Sequence, residues 1–292
     1  MNRVQLKAHA KINLTLDVVG KRENGYHDVE MIMQQVDLHD IITLGKREDD
    51  QIVLTSDAPY LPKGQGNIAW RAAKAICNHV DKNLGVSIHI EKHIPVAAGL
   101  AGGSTDAAAV INGMNDLFDL GLTLEERRAI GVQIGADVPF CIQGGCALAK
   151  GIGEELTVLH PAKSMWLVLA KPSIGVSTKT VYEALDHKKI VNHPDTDAMK
   201  AALESGALGV VADELGNVLE DVTLKLYPVV GEVKKKLREY GAKAVLMSGS
   251  GPTVFGLFSD YERAKTAAKR LVRLYPQTHV TKTLTGGNKN GK

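Results

Sequence analysis

The stretch most directly suited to chemistry is residues 95–106, which is rich in glycine and alanine. Small residues let the backbone approach a ligand closely and turn successive N–H groups toward it. Residues 106–111 favour a buried helix, so the loop leads into a helix N-terminus, whose positive end attracts phosphate. The stretch lacks the lysine of a P-loop and the glycine spacing of a dinucleotide fingerprint. We expect it to bind a polyphosphate, with tight loop-to-helix packing as the alternative.

A second glycine cluster lies between two strand candidates, 242–247 and 253–258. Its residues are Ser248, Gly249, Ser250, Gly251 and Pro252. Taken alone, such a cluster is typical of a hairpin turn. Two glycine-rich loops from different parts of a fold can also converge on one phosphate chain, and both interpretations stay open.

Lys11 and Asp137 are charged residues in apolar surroundings. Lys11 fits either an edge strand or a cation aimed at an anion. Asp137 fits either a helix cap or turn, or a carboxylate that needs a partner because isolated burial is costly. If the two meet, they form a base held beside a cation. Tyr26 and His27 add an aromatic ring and an imidazole in a turn, which also fit an ordinary surface turn.

The elements that must position these residues follow from hydrophobic periodicity. Short β-rich runs before residue 60 predict an antiparallel sheet, and Asn67 is placed to cap a helix. Thr123 with Glu126 forms a capping box. We expect Gly135 to end that helix in a left-handed conformation, which leaves Asp137 in a loop. The strand candidates are residues 3–9, 13–19, 29–36, 40–44, 51–55 and 86–90.

After residue 160 the sequence becomes richer in helical patterns. Ser259 with Glu262 predicts another capping box, and Gly241 another helix end. Strand-rich order followed by helix-rich order favours an α+β fold over a doubly wound parallel sheet. The helical patterns are residues 179–185, 195–203, 208–215, 229–240 and 261–274, and the further strand candidates are residues 166–170 and 278–283.

The composition excludes several classes of protein. The 292 residues carry 35 Lys and Arg against 33 Asp and Glu, a net charge of +2 without a basic block, so we expect no nucleic acid partner. No apolar stretch is long enough to span a bilayer and no signal peptide is visible, so we expect no membrane partner and a cytoplasmic protein. Cys77, Cys141 and Cys146 are expected to be small buried hydrophobes, not disulfides or metal ligands.

Three of these motifs, in chain order, resemble the GHMP small-molecule kinases. They are Lys11-Ile12-Asn13-Leu14, the glycine-rich stretch at 95–106 and the cluster at 248–252. Two more motifs narrow the resemblance to the members that phosphorylate a cytidine diphosphate conjugate of methylerythritol. These are Gly25-Tyr26-His27 and Gly135-Ala136-Asp137-Val138-Pro139-Phe140.

The resemblance implies a two-domain α+β fold with the active site in the cleft between the halves. Residues 1–160 would form an N-terminal domain, with the topology of a ribosomal-protein domain, that carries the ATP loop and the catalytic residues. Residues 161–292 would form a ferredoxin-like α/β domain with the second glycine loop and part of the substrate site. The implied reaction is ATP-dependent phosphorylation of the 2-hydroxyl of the methylerythritol unit, in the non-mevalonate route to isopentenyl diphosphate.

The resemblance also implies roles for single residues. Asp137 takes the position of the catalytic aspartate that withdraws the hydroxyl proton, and Lys11 that of the lysine that orients it. Mg²⁺ is expected with ATP, with no assigned ligand set and Ser104 as a candidate. The implied substrate positions, for the cytosine ring and the acceptor, are Asn13, Tyr26, His27 and Tyr182. The implied ATP positions are Asn67, Lys92, Pro95, Val96, Ala97, Ala98, Gly99, Leu100, Ala101, Gly102, Gly103, Ser104, Thr105, Gly249, Ser250 and Gly251.

Two alternatives stay open from the sequence. Another GHMP kinase, acting on mevalonate, homoserine or a sugar, would keep both glycine loops but would have no flat base for Tyr26 and His27 to bind. A non-catalytic nucleotide-binding module would keep the loops and have no need for Asp137. For the interpretation that the resemblance favours, we expect a small-molecule substrate, the cytidine diphosphate conjugate, and a monomer or weak homodimer.

Overall fold

The fold is built on two β-sheets packed with helices, and the computed structural model describes residues 2–186 and 190–286. The strands are β1 (Arg3–Lys21), β2 (His27–Lys46), β3 (Ile52–Ser56), β4 (Val86–Glu91), β5 (Cys146–Lys150), β6 (Glu155–Leu159), β7 (Trp166–Lys171), β8 (Gly216–Asn217), β9 (Ala244–Met247), β10 (Val254–Phe258) and β11 (Gln277–Lys282). The helices are α1 (Ile68–His79), α2 (Gly102–Phe118), α3 (Leu124–Ile134), α4 (Val138–Gln143), α5 (Thr178–Leu185), α6 (Thr196–Ser205), α7 (Leu208–Asp213), α8 (Glu220–Leu226), α9 (Pro228–Glu239) and α10 (Tyr261–Leu271).

The first sheet has the order β3-β4-β2-β1-β8, with β5 pairing on β2 and β6 on β5. The second sheet has the order β11-β7-β10-β9. This arrangement confirms the α+β class. All strands of the first sheet except β8 precede residue 160, and β8 pairs in parallel with β1. The division into two domains at residue 160 remains a prediction.

The antiparallel pair β1 and β2 is the spine of the first sheet. Each is one long strand, where the alternation predicted two shorter ones. The register shifts three times along the pair, once between His9 and Lys11 and once between Asn13 and Thr15. Such bulges disturb the alternation of inward and outward side chains, which is why the sequence suggested breaks. The middle of β1 is buried on both faces, so Lys11 and Asn13 lie inside the protein.

Helix α2 packs its buried face on β1 and β2. Gly113, in the middle of the helix, makes the close approach possible, because a Cβ there would lie 2.6 Å from Leu44 Cδ1 and 2.7 Å from Leu6 Cδ1. This packing fixes where the helix begins, and therefore where the glycine-rich stretch before it meets the sheet.

Several local predictions are confirmed, and two are wrong. The Thr123–Glu126 capping box is present at the start of α3. Gly135 is extended, with φ of 175°, because the chain continues directly into α4, whose N-cap is Asp137. Asp260, not Ser259, caps α10 by accepting from the Arg263 N–H. The β5–β6 hairpin and helices α4 and α8 were not predicted.

The interior is apolar and includes the cysteines. Cys77, Cys141 and Cys146 are buried and free, as predicted. Burial raises the pKa of Cys146 to about 12 and raises that of Cys141 further, so neither thiol is a nucleophile at neutral pH. None of the described helices is long and apolar enough to cross a membrane.

Candidate active site

A cavity of about 1080 Å³ opens between the two glycine loops, the β1–β2 turn and α5. Typical small-molecule sites measure about 300–1000 Å³, so this cavity has room for two ligands side by side. Most of the residues selected from the sequence line it. They are Lys11, Tyr26, His27, Asn67, Lys92, Pro95, Val96, Ala97, Ala98, Gly99, Ala101, Gly102, Gly103, Ser104, Asp137, Tyr182, Gly249 and Ser250.

Lys11 and Asp137 meet at the wall of the cavity. Lys11 Nζ lies 3.7 Å from Asp137 Oδ2, and it donates a 2.8 Å hydrogen bond to Asn13 Oδ1. The Lys11 side chain is only 6% exposed, whereas that of Asp137 is 32% exposed. Although Asp137 is the N-cap of α4, its carboxylate makes no capping hydrogen bond. The carboxylate is therefore free to face a ligand while a buried ammonium stands behind it.

The glycine-rich stretch presents backbone N–H groups to the cavity. Ala97, Gly99 and Ala101 all have positive φ, of 50°, 73° and 55°. Such left-handed residues curve the backbone into a concave nest of N–H groups. Ala101 is the N-cap of α2, and its side chain has no oxygen to cap the helix, so the N–H groups of the first turn are left for a ligand. This geometry suits the phosphates of a nucleotide.

The second glycine loop is in direct contact with the first. Ser248 Oγ donates a 2.9 Å hydrogen bond to the Gly99 carbonyl. A Cβ on Gly99 would lie 2.2 Å from the Ser248 carbonyl oxygen, so only glycine allows this approach. Ser250 is tied to Thr178 at the start of α5 by a 2.9 Å hydroxyl contact. The two loops thus converge, and the loop at 248–252 is more than a hairpin turn.

Asn67 and Lys92 line the cavity but are committed to other contacts. The Asn67 amide caps α1 by accepting from the Ala69 N–H, and its NH₂ group donates to the Pro62 carbonyl. Lys92 Nζ bonds Asp40 and lies 2.8 Å from Asp106 Oδ2. Their contact with a nucleoside remains a prediction.

The three charges of Asp40, Lys92 and Asp106 are almost fully buried. Their side chains are 0%, 3% and 5% exposed. Burial lowers the pKa of Lys92, but the two carboxylates outweigh burial and raise it above its usual value. One ammonium compensates only one carboxylate, so burial raises the pKa of Asp106 well above its usual range.

The β1–β2 turn and α5 form the other end of the cavity. The rings of His27 and Tyr182 are 4.9 Å apart and tilted by 39°. Tyr26 is exposed and lines the same region. The structure therefore brings together Tyr26, His27 and Tyr182, the three residues that the resemblance assigned to binding the planar cytosine ring.

Asp186 was missed from the sequence. It follows α5, lines the cavity and lies 2.6 Å from His27 Nε2 through Oδ1. Its spacing of four residues from Tyr182 places the two on one helical face. Once Tyr182 is assigned to the site, this four-residue spacing is the sequence signal that could have identified Asp186.

Four predicted site residues lie off the cavity wall. Asn13 is behind Lys11, and its NH₂ group contacts the Met31 sulfur at 3.2 Å. Leu100 has its side chain in the core. The Thr105 hydroxyl donates to the His9 carbonyl at 2.7 Å and does not face the cavity. Gly251 has φ of 85° and turns against Met247. These four shape the site from behind.

Oxygen ligands for a cation are available at the α2 end of the cavity. Ser104 lines the cavity in the first turn of α2. Asp106 also lines the cavity, and its Oδ1 is buried without a hydrogen-bond partner. Hydroxyl and carboxylate oxygens are the donor types that Mg²⁺ prefers. Within residues 2–186 and 190–286, the one group of three metal-type ligands, His9, Asp37 and His39, lies away from the cavity.

The arrangement combines three chemical capacities in one cavity. The nest and the α2 N-terminus are suited to bind phosphate, and the Asp137–Lys11 pair can accept a proton beside a positive charge. The His27 end offers aromatic surface and an imidazole. Together they suit transfer of a phosphoryl group between two bound small molecules.

Comparison with known proteins agrees with this geometry. Residues 67–145 match the GHMP kinases N terminal domain, and residues 196–277 match the GHMP kinases C terminal domain. A 4-diphosphocytidyl-2-C-methyl-D-erythritol kinase of Alkaliphilus metalliredigens is 51% identical over 283 residues, which cover 97% of this chain and 97% of that protein.

Solved structures show the same likeness. A 4-(cytidine 5'-diphospho)-2C-methyl-D-erythritol kinase superposes with a TM-score of 0.82 at 32% identity, covering 97% of this chain and 100% of that chain. Homoserine kinase from Cytophaga hutchinsonii superposes with a TM-score of 0.77 at 17% identity, covering 100% of this chain and 97% of that chain. At that lower identity the likeness concerns the fold alone.

Proposed function

Because the chain belongs to the 4-diphosphocytidyl-2-C-methyl-D-erythritol kinases of the GHMP family, we propose that it phosphorylates the 2-hydroxyl of that substrate with ATP. The products are the 2-phosphate and ADP. This step belongs to the non-mevalonate route to isopentenyl diphosphate. The observation that carries the proposal is the Lys11–Asp137 pair, 3.7 Å apart, in a cavity that also has a phosphate-binding nest and a base-binding end.

Asp137 acts as the proton acceptor in the proposed mechanism. As the 2-hydroxyl oxygen bonds to the γ-phosphorus of ATP, the bond from that phosphorus to the bridging oxygen of ADP breaks. The hydroxyl proton passes to the partly exposed Asp137 carboxylate. Lys11, held by Asn13, offsets negative charge at the acceptor oxygen and fixes the carboxylate in place.

The ATP phosphates are placed against the glycine-rich stretch. The N–H groups of the nest and of the first turn of α2 would hold them without side-chain charge. Ser104 and the unpartnered Asp106 Oδ1 are the oxygens that would hold Mg²⁺ with the nucleotide. When bound, Mg²⁺ neutralises charge on the β- and γ-phosphates. We place the adenosine toward Asn67 and Lys92, which also line the cavity.

The cytidine end of the substrate is placed between the β1–β2 turn and α5. Tyr182, whose ring lies 4.9 Å from that of His27, and the cavity-lining Tyr26 would supply aromatic surface. Aromatic stacking and hydrogen bonds to the base edge are a usual means of binding a nucleobase. This end of the cavity favours a cytidine substrate over mevalonate or homoserine, because neither of those molecules contains a base.

A coupled assay of ADP release tests the proposal. The purified chain is incubated with Mg-ATP and, separately, with the cytidine diphosphate conjugate of methylerythritol, methylerythritol 4-phosphate, mevalonate, homoserine and galactose. We expect ADP release with the cytidine conjugate alone. Turnover of another acceptor would contradict the substrate, and ADP release with none of them would favour a nucleotide-binding module.

A further inference from the structure

We propose that Asp186 is a specificity-determining positioning residue that fixes the proton of His27, so that the site accepts a cytosine ring and rejects a uracil ring. The inference rests on the proposed function, since it concerns the base-binding end of the same cavity. It is carried by the hydrogen bond between His27 Nε2 and Asp186 Oδ1.

His27 and Asp186 reach this contact from distant parts of the chain. They are separated by 159 positions, and the two atoms lie 2.6 Å apart. Lys21, at the end of β1, bonds the other carboxylate oxygen, Oδ2. Because both oxygens are engaged by the β1–β2 hairpin, the orientation of the carboxylate is fixed. The ring of Tyr182, 4.9 Å from that of His27, restrains the imidazole from the side.

The contact determines which nitrogen of His27 carries the proton. The hydrogen bonds from His27 and Lys21 lower the pKa of Asp186, so its carboxylate is ionised and can only accept. Nε2 must therefore be the protonated nitrogen. In a neutral imidazole the lone pair is then on Nδ1. Nothing in the described ranges, 2–186 and 190–286, donates a hydrogen bond to Nδ1.

A fixed acceptor in this position distinguishes two pyrimidines. The His27 side chain is 9% exposed and lines the cavity. In the proposal, Nδ1, the ring nitrogen that Asp186 does not engage, is the atom that meets the base. Cytosine carries an amino group at position 4, which donates, whereas uracil carries a carbonyl there, which accepts. The amino group can donate to Nδ1, but the carbonyl oxygen would face its lone pair. The repulsion between the uracil carbonyl and Nδ1 would favour cytosine over uracil, as the hydrogen bond from the cytosine amino group does.

Asp186→Asn tests the inference by removing the constraint without changing the size of the side chain. An amide accepts through its oxygen and donates through its NH₂ group, so either tautomer of His27 can pair with it. The measurement is kcat/KM for the cytidine and the uridine diphosphate conjugates of methylerythritol. We expect the wild type to prefer cytidine by at least about 100-fold and Asp186→Asn to lose about tenfold or more of that preference. Its KM for ATP should stay within about twofold of the wild type.

Two further variants distinguish a positioning role of Asp186 from a purely structural one. Asp186→Glu keeps a group that only accepts, and should retain the cytidine preference even where KM rises. Asp213→Asn makes the same substitution at an exposed carboxylate outside the cavity and should behave as the wild type. Calorimetric binding of CDP and UDP to each variant gives the preference independently of turnover.

The outcomes separate this inference from the proposed function. If Asp186→Asn binds and phosphorylates the cytidine conjugate with unchanged preference, the inference is wrong. It is also wrong if KM rises equally for both conjugates, because that result indicates a structural role only. A wild-type chain that does not phosphorylate the cytidine conjugate at all would contradict the proposed function instead.

Discussion

The chemistry at the scale of single residues depends on two opposite charges with unequal access to solvent. Lys11 is buried and Asp137 is partly exposed, at a distance of 3.7 Å. The buried ammonium is held by a 2.8 Å hydrogen bond to Asn13 and stands beside the cavity-lining carboxylate. The backbone of Asp137 is held at the start of α4, where its carbonyl accepts from the Cys141 N–H, while its carboxylate makes no capping hydrogen bond.

Asp137→Asn should lower kcat by at least about 100-fold, since an amide cannot accept the hydroxyl proton. KM for ATP should change little, because the nest and the α2 N-terminus remain intact. Steady-state kinetics with the cytidine conjugate measures both quantities. A thermal denaturation midpoint close to that of the wild type would show that the variant is folded. A kcat within a few-fold of the wild type would contradict the assignment of Asp137 as the base.

At the scale of elements, a buried ionic cluster joins β2, β4 and α2 next to the glycine-rich stretch. Asp40 comes from β2, Lys92 from the end of β4 and Asp106 from the first turns of α2. Asp40 also accepts from the backbone N–H groups of His93 and Ile94. The cluster therefore holds the chain that leads into the glycine-rich stretch.

Lys92→Met should destabilise the protein by about 3–5 kcal/mol, because it leaves two buried carboxylates without a cation. Lys200→Met is the matched control, since Lys200 pairs with Asp197 at the surface, where such pairs contribute little to stability. Unfolding in urea measures both. If Lys92 instead served only the nucleoside, the variant would raise KM for ATP with no loss of stability.

A second element-scale feature is the pair of histidines that face each other across β1 and β2. His9 and His39 are register partners, and the His9 side chain is 14% exposed. Burial, and then the neighbouring His39, lower the pKa of His9 to about 4, against the opposing effect of Asp37. The imidazole is therefore neutral in the folded protein throughout the neutral range.

Lowering the pH should lower the free energy of unfolding, because His9 is neutral in the folded protein. Between the unfolded pKa, about 6.5, and the folded value, about 4, the unfolded chain binds a proton that the folded chain does not, so stability falls as the pH falls through this window. The shift corresponds to about 3 kcal/mol. His9→Gln should lose less stability than the wild type between about pH 7 and about pH 4.5. The exposed His160→Gln is the control, and equal losses in all three proteins would rule out this role of His9.

At the scale of the whole molecule, the two glycine loops connect the parts of the fold that form the cavity. The first loop leads from β4 to α2, and the second joins β9 to β10 in the other sheet. Their contact at Gly99 and Ser248 fixes the distance between the phosphate nest and the second sheet.

Gly99→Ala should raise KM for ATP by about tenfold or more, because its Cβ would overlap the Ser248 carbonyl oxygen and separate the loops. Gly241→Ala is the control: Gly241 also has positive φ, of 92°, but a Cβ there would contact nothing within 4 Å. That variant should show backbone strain of about 1–2 kcal/mol and an unchanged KM for ATP. Equal effects of the two substitutions on KM would contradict a role for the contact between the loops.

The sequence by itself determined the residue types of the site and much of the local structure. The glycine-rich stretch, the capping box at Thr123 and the α+β order depend on short-range propensities and periodicity, which are visible in a few consecutive residues. The same local signals misplaced the cap of α10, because Asp260 next to Ser259 is an equally good capping residue. They also missed the conformation of Gly135, because the chain continues there directly into α4.

Only the tertiary structure decided which of these residues meet. The distance from Lys11 to Asp137, the commitment of Lys92 to Asp40 and Asp106, and the pairing of His27 with Asp186 all join residues far apart along the chain. Such contacts depend on strand register, bulges and helix packing over the whole fold. Local propensity contains no information on these distances, so the sequence supplied the candidate groups and the fold selected their partners.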